Sequence, residues 1–205
     1  MRDRGDGAAL TGLLCPGRRG RNRPPAARPS RYGAPMTTAA TDAEGSGAHP
    51  RFAAALDELG LGDLHSRIRR FPDATRTAAE AAAAIGCELS QICKSLIFAA
   101  DDVPVLVLMD GASRVDVERV RAELGAGAVT RAKAEVVRET TGYAIGGVPP
   151  FGHRTRTRVL ADRSLLGHDL VWAAAGTPHT VFPMAPEALI ARAGGTLVDV
   201  RERTS

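Results

Sequence analysis

Residues 92–100 (ICKSLIFAA) and 103–109 (VPVLVLM) are two almost wholly apolar runs separated only by Asp101 and Asp102. A gap of two turn-prone residues predicts an antiparallel hairpin, because so short a loop can only join neighbouring strands. Both runs are apolar at odd and even positions alike. Both faces of the hairpin must therefore be covered, which puts the pair at the centre of a sheet.

The segments around the hairpin supply the covering layers. Pro50 at a first-turn position, followed by Phe52, Leu56 and Leu59 at helical spacing and by Gly60, predicts a short helix. Residues 65–71 (HSRIRRF), loosely alternating before Pro72, suit a short strand, and Thr77 with Glu80 forms a capping box for a helix closed by Gly86. Val117, Val120 and Leu124 share one helical face, and a further helix is expected over 131–140. A Gly/Pro-rich loop at 142–152 precedes strand-like pieces at 155–160, 170–174 and 180–182; Pro186 then opens and Gly194 closes a last helix before a strand at 196–200. Strands and helices mix without a regular βαβ rhythm. The expected class is α/β in the α+β sense: a single domain with a mixed, largely antiparallel, curved sheet and flanking helices.

Charge divides the chain. Residues 1–48 hold eight Arg against four acidic side chains, whereas 49–205 hold nineteen of each sign, so the net charge of +4 belongs to the leading segment. From Arg18 onward that segment is poor in large apolar groups, and residues 1–48 are expected to be a disordered basic arm, with the folded domain at 49–202. Met36 inside it is a candidate true start. Residues 8–14 (AALTGLL) resemble a leader h-region but are interrupted by Thr11 and Gly12, and no apolar run approaches a membrane span of about 18 residues. Cys15, Cys87 and Cys93 form no C-x-x-C pair and the histidines are scattered, which fits a reducing, cytoplasmic setting with no metal and no cofactor.

Lys94 stands out because the chain uses 25 Arg but only two Lys, the other being Lys133. On a strand it shares a face with Ile92, Leu96 and Phe98. An ammonium there must snorkel to water or meet an anion, and a compact point charge suits a phosphate or a polar reaction centre. The neighbouring Cys93 points to the opposite face, where packing is its expected role. The loop Tyr143-Ala-Ile-Gly-Gly-Val-Pro-Pro-Phe-Gly-His153 is the second feature. Gly146 and Gly147 leave room for a ligand and Pro149 and Pro150 stiffen the turn, so the loop either aims backbone N–H groups at an oxygen or serves as a connector.

A Lys-bearing apolar strand (ICKSLIF) followed by a G-x-x-x-P loop (Gly146-Gly-Val-Pro-Pro150), with Ala175-Gly176 and VFPMAPEALI beyond it, resembles the YbaK/EbsC-type aminoacyl-tRNA deacylases. The free-standing ProX proteins and the editing insertion of bacterial prolyl-tRNA synthetases share that domain, and the resemblance covers residues 50–202. It implies the YbaK fold and hydrolysis, in trans, of the ester of a mischarged aminoacyl-tRNA, such as Cys-tRNA(Pro) or another small amino acid. It implies that Lys94 holds the phosphate or ribose of the terminal adenosine. Gly146 and Gly147, with Val148, Pro149 and Pro150, would grip the aminoacyl carbonyl, while His153 and Thr177 are candidate neighbours in the pocket. The expected partners are the aminoacyl-tRNA 3′ end and a synthetase, with no DNA and no membrane. An activated ester needs positioning and oxyanion stabilisation more than a catalytic dyad, in keeping with the lack of a visible dyad. The rival is a non-catalytic module of the same fold that binds aminoacyl-tRNA or a nucleotide.

Arg154, Arg156 and Arg158 follow the loop at a spacing of two. On a strand they would line one face, as a cationic ridge for acceptor-stem phosphates or as a solvated edge that discourages pairing.

Overall fold

The computed structural model describes residues 47–71 and 77–203. The expectations for the basic arm and for Met36 lie outside the described residues. In chain order the elements are α1 (Pro50–Glu58), β1 (Arg69–Arg70), α2 (Ala78–Ile85), β2 (Ile92–Ala100), β3 (Val103–Asp110), α3 (Val117–Leu124), β4 (Val129–Arg131), α4 (Ala134–Thr141), β5 (Arg158–Asp162), β6 (Val171–Ala174), β7 (Thr180–Met184), α5 (Pro186–Ala193) and β8 (Thr196–Val198).

The β2–β3 hairpin forms as its two-residue gap requires. Asp101 and Asp102 take φ of 46° and 66°, the type I′ conformation whose twist matches that of the paired strands. Asp101 does more than favour a turn: its carboxylate accepts the Gly127 and Ala128 N–H groups at 2.9 and 2.8 Å. Those bonds bring the following residues alongside β2, so that Val129, Thr130 and Arg131 pair with Ala100, Ala99 and Phe98. This strand β4 is too short to announce itself in the sequence.

The sheet runs β1-β7-β6-β2-β3-β5-β8, with β4 also on β2, so the hairpin is central. Among the described residues the β1/β7, β2/β3, β2/β4 and β6/β7 ladders are antiparallel, whereas β2/β6, β3/β5 and β5/β8 are parallel. The sheet is thus mixed, as expected. Its parallel part follows from the long connections that return each chain segment to the same end of the sheet.

On one face Cys93, Ile97, Leu106 and Leu108 meet α1, α4 and α5 in the largest core cluster. On the other, Val120 of α3 covers Phe98, Val107 and Met109, while Ala81 and Ala82 of α2 cover Ile92 and Trp172. The capping box holds α2 in place, with Thr77 and Glu80 exchanging bonds of 3.2 and 3.1 Å.

The starts of three expected elements move by three residues or more, and the last strand, expected at 196–200, ends at Val198. His65 to Arg67 lie in a 3-10 turn whose Leu64 is buried, and the strand there is reduced to Arg69 and Arg70, paired with Val181 and Thr180. The helix expected at 131–140 begins at Ala134, because Arg131 belongs to β4. The strand expected at 155–160 begins only at Arg158. Arg154 and Thr155 donate their backbone N–H groups to the Thr141 and Thr140 carbonyls at 3.0 and 2.9 Å, which holds this stretch against the end of α4 and off the sheet. Arg154 and Arg156 therefore do not form a strand-face ridge with Arg158.

Candidate active site

The sheet is split beside its central strand. On the edge of β2 away from β3, β6 pairs only with Ile92 and Cys93, and β4 joins only from Phe98 onward. In a two-residue hairpin Ala100 and Val103 form a hydrogen-bonded pair, so Phe98, Leu96 and Lys94 aim their backbone groups at β3. By alternation Cys93, Ser95 and Ile97 aim theirs at the opposite edge. The Ile97 carbonyl accepts the Ala132 N–H at 3.1 Å, while Ser95 faces the split. A cavity of about 240 Å³ occupies that split, bounded by α2, β2, the 145–148 loop and the 177–178 loop.

Lys94 is half-buried on the wall of this cavity. Its ammonium donates to the Ser113 carbonyl at 2.6 Å and the Gly111 carbonyl at 3.2 Å, leaving one of its three donors uncommitted. Burial lowers its pKa, the Asp110 carboxylate works the other way, and Arg131 and Arg114 add to the lowering. Arg131 lies on the same cavity wall. Neither Arg131 nor Arg114 has an acidic partner among the described residues.

The glycine loop divides its tasks. Gly146, with φ of 86°, and Val148 line the cavity; Gly147 does not. A Cβ on Gly147 would stand 2.8 Å from Thr177 backbone atoms, so the missing side chain admits the neighbouring loop rather than a ligand. This corrects the expectation that both glycines open space for substrate. The Gly147 N–H is committed to the Ala144 carbonyl at 3.0 Å, and Pro149 and Pro150 have no N–H. Gly146 and Val148, which line the cavity together with Ile145, have backbone N–H groups that the loop's own hydrogen bonds leave free.

Thr177 lies in the cavity wall, with its hydroxyl 2.7 Å from that of Thr180 and accepting the His179 N–H at 3.2 Å. His153 does not join it. Its Nε2 lies 2.7 Å from the Pro149 carbonyl, and its ring packs edge-on to Tyr143 in a separate cleft behind the loop, with His49 and Arg51. Burial lowers the His153 pKa, so the neutral ring braces the loop by donating to that carbonyl. Cys93 is buried in the core and its thiol is pushed up to about 12 by burial, leaving it inert as a nucleophile.

Sequence reading missed Ser95 and Arg131. The Ser95 hydroxyl is buried on the cavity wall with no hydrogen-bond partner. Nothing about a serine inside an apolar strand signals that. Among the described residues no cluster of three or more His, Cys, Asp or Glu could hold a metal, and no helix is long and apolar enough to cross a membrane.

Comparison with known proteins places this geometry. A model described as an aminoacyl-tRNA editing domain matches residues 72–191. The uncharacterized protein YwhH of Bacillus subtilis is 33% identical over 123 residues, which are 60% of this chain and 78% of YwhH. The proline–tRNA ligase of Limosilactobacillus fermentum is 31% identical over 112 residues, 52% of this chain but only 20% of the ligase. Among solved structures, a proposed trans-editing enzyme for prolyl tRNA synthetase superposes with a TM-score of 0.70 at 42% identity, covering 75% of this chain and 96% of that one.

Proposed function

Since the chain belongs to the aminoacyl-tRNA editing domain family and is an aminoacyl-tRNA deacylase, we propose that the split beside β2 receives the 3′-terminal aminoacyl-adenosine and hydrolyses its ester there. The observation that carries the assignment is that Lys94 and the loop residues Gly146 and Val148, whose backbone N–H groups are not taken by the loop's own hydrogen bonds, line one small cavity. The ammonium's free donor supplies positive charge for the phosphate or ribose of the terminal adenosine. The two N–H groups face the aminoacyl carbonyl. They stabilise the oxyanion that forms when water, or a hydroxyl or thiol of the substrate itself, adds to the carbonyl carbon. The ribose oxygen then leaves and takes up a proton. Ser95, with a buried hydroxyl and an open strand edge, offers the polar partners for the amino-acid end.

At about 240 Å³ the cavity is smaller than the roughly 300–1,000 Å³ of pockets that enclose a whole ligand. Its size suits a small aminoacyl group with the nucleoside outside. Cysteine or alanine esters of a proline tRNA are the substrates of choice, acted on in trans in the cytoplasm. With no further tRNA-reading element assigned, a synthetase partner is the source of tRNA selectivity.

A panel of charged tRNAs incubated with the protein and with Lys94→Ala tests the assignment. The expected result is deacylation of one or a few small-amino-acid esters, lost in Lys94→Ala with the fold intact. Lys94→Arg is expected to be poor as well, because a planar fork cannot take the place of a point charge held by two carbonyls. Near-normal turnover by Lys94→Ala would overturn the role given to this residue.

A further inference from the structure

Asp110 ends β3 on the opposite side of the strand pair from Lys94, yet the two are joined through a single peptide group. The Asp110 Oδ1 accepts the N–H groups of Ala112 and Ser113, both at 2.9 Å. The carbonyl of the Gly111–Ala112 peptide, whose N–H goes to Asp110, accepts from the Lys94 ammonium at 3.2 Å. That peptide thus lies between an anion at its N–H end and a cation at its C=O end, an order in which each hydrogen bond polarises the next. The Ser113 carbonyl, one turn of the same loop further on, supplies the second contact at 2.6 Å.

The arrangement is built rather than incidental. Asp110 is only 3% exposed, so a carboxylate there is costly unless its lone pairs are used. They are used: Ser164, from the turn after β5, donates to Oδ2 at 2.6 Å. Burial pushes the carboxyl pKa up, but the bonds from Ser113, Ser164 and Ala112 outweigh it and hold the group ionised, below its ordinary range. The loop is closely packed at this point, since a Cβ on Gly111 would collide with the Leu89 carbonyl.

We propose that Asp110, anchored by Ser164, is the positioning residue for Lys94: through the Gly111–Ala112 peptide it fixes the ammonium with one donor directed to the substrate. This rests on the reading of Lys94 as a substrate contact. The charged groups around that ammonium are Asp110 from β3, Arg131 from β4 and Arg114 from the loop after β3. Asp110 is the only anion among them.

The chain's two lysines make the test direct. In protein labelled with 13Cε-lysine, NMR gives two side-chain signals, and Lys133→Arg assigns the one from Lys94. Asp110→Asn keeps an acceptor for both loop N–H groups but removes the charge. Its expected effect is to move the Lys94 titration to lower pH, the sign that follows when an anion is taken from an ammonium. The expected loss in kcat/KM is about tenfold, the scale of one charge-assisted hydrogen bond. Ser164→Ala, which leaves the carboxylate in place, is expected to give a smaller shift in the same direction. In the Lys94→Ala background, Asp110→Asn is expected to cost no further activity, since its target is gone.

An unmoved Lys94 titration in folded Asp110→Asn would overturn the proposal, as would an activity loss that adds fully to that of Lys94→Ala. If Asp110→Asn fails to fold, Ser164→Ala decides by the same signal. If Lys94→Ala is itself fully active, the substrate-contact reading fails, while the NMR shift still reports on whether Asp110 sets the ammonium.

Discussion

Gly147 and Thr177 touch backbone to backbone: a Cβ on the glycine would stand 2.8 Å from the Cα and carbonyl carbon of Thr177 and 3.0 Å from its nitrogen. The two loops that bound the cavity on one side are therefore held together by an absent side chain. Gly147→Ala is expected to force them apart and to cost about 1–3 kcal/mol, the range for overpacking a close contact. Gly146→Ala meets only Pro178, at 3.8 Å, but its φ of 86° disfavours any side chain. It should lose about 1 kcal/mol and, out of proportion to that, activity, because its methyl enters the cavity wall. Thermal melts read beside deacylation rates separate the two; activity losses that merely track stability in both variants would rule out a substrate-facing role for Gly146.

Ser95 offers the opposite pattern. Its buried hydroxyl makes no hydrogen bond, so Ser95→Ala removes an uncompensated desolvation cost and is expected to leave stability unchanged or raise it by about 1 kcal/mol. If the hydroxyl serves the substrate, the same change lowers kcat/KM by about five- to tenfold. Denaturant midpoints and steady-state kinetics on one preparation check both halves. A stabilised variant with full activity would remove Ser95 from the site.

His153 sets an acid limit on stability. Burial holds its folded pKa below the ordinary value of 6.5. Below that value the unfolded chain binds the proton more readily than the folded one, so stability is fully present above it and is lost as pH falls toward the folded pKa. The expected signature is a melting temperature that drops between pH 7 and 5, with a shallower slope in His153→Gln, which keeps a donor for the Pro149 carbonyl but cannot charge. Identical slopes would show that other groups carry the acid sensitivity.

Arg131 shares the cavity wall with Lys94, whereas Arg154 and Arg156 lie on the stretch held against the end of α4. Reversing Arg131 to Glu is expected to raise KM for both a full aminoacyl-tRNA and a short 3′-terminal oligonucleotide ester, and to reduce the salt slope by about 0.7 for each single-strand phosphate that is no longer neutralised. Reversing Arg154 and Arg156 should affect only the substrate that has an acceptor stem. Salt titrations of KM on both substrates distinguish them; no effect of Arg154 and Arg156 on either would leave these residues as solvated surface.

What could be read along the chain is what depends on near neighbours. The apolar runs around Asp101 and Asp102 determined the central hairpin, because strand pairing across a two-residue gap has no competing arrangement. Thr77 and Glu80 likewise determined where α2 starts, since a capping box closes within one turn. Lys94 and the glycine loop were visible because a rare residue type and a run of backbone-special residues are properties of sequence alone. The split that turns these features into a cavity was decided elsewhere. It exists because β6 pairs with only Ile92 and Cys93 while Asp101 draws β4 onto the other end of β2. The same distant contacts expose Ser95 to the cavity, turn His153 behind the loop and place Asp110 one peptide away from Lys94. Local chemistry determines which groups are present and which backbone shapes they favour. Which of them face one another depends on packing between segments remote in sequence, where the burial of apolar surface outweighs local preference.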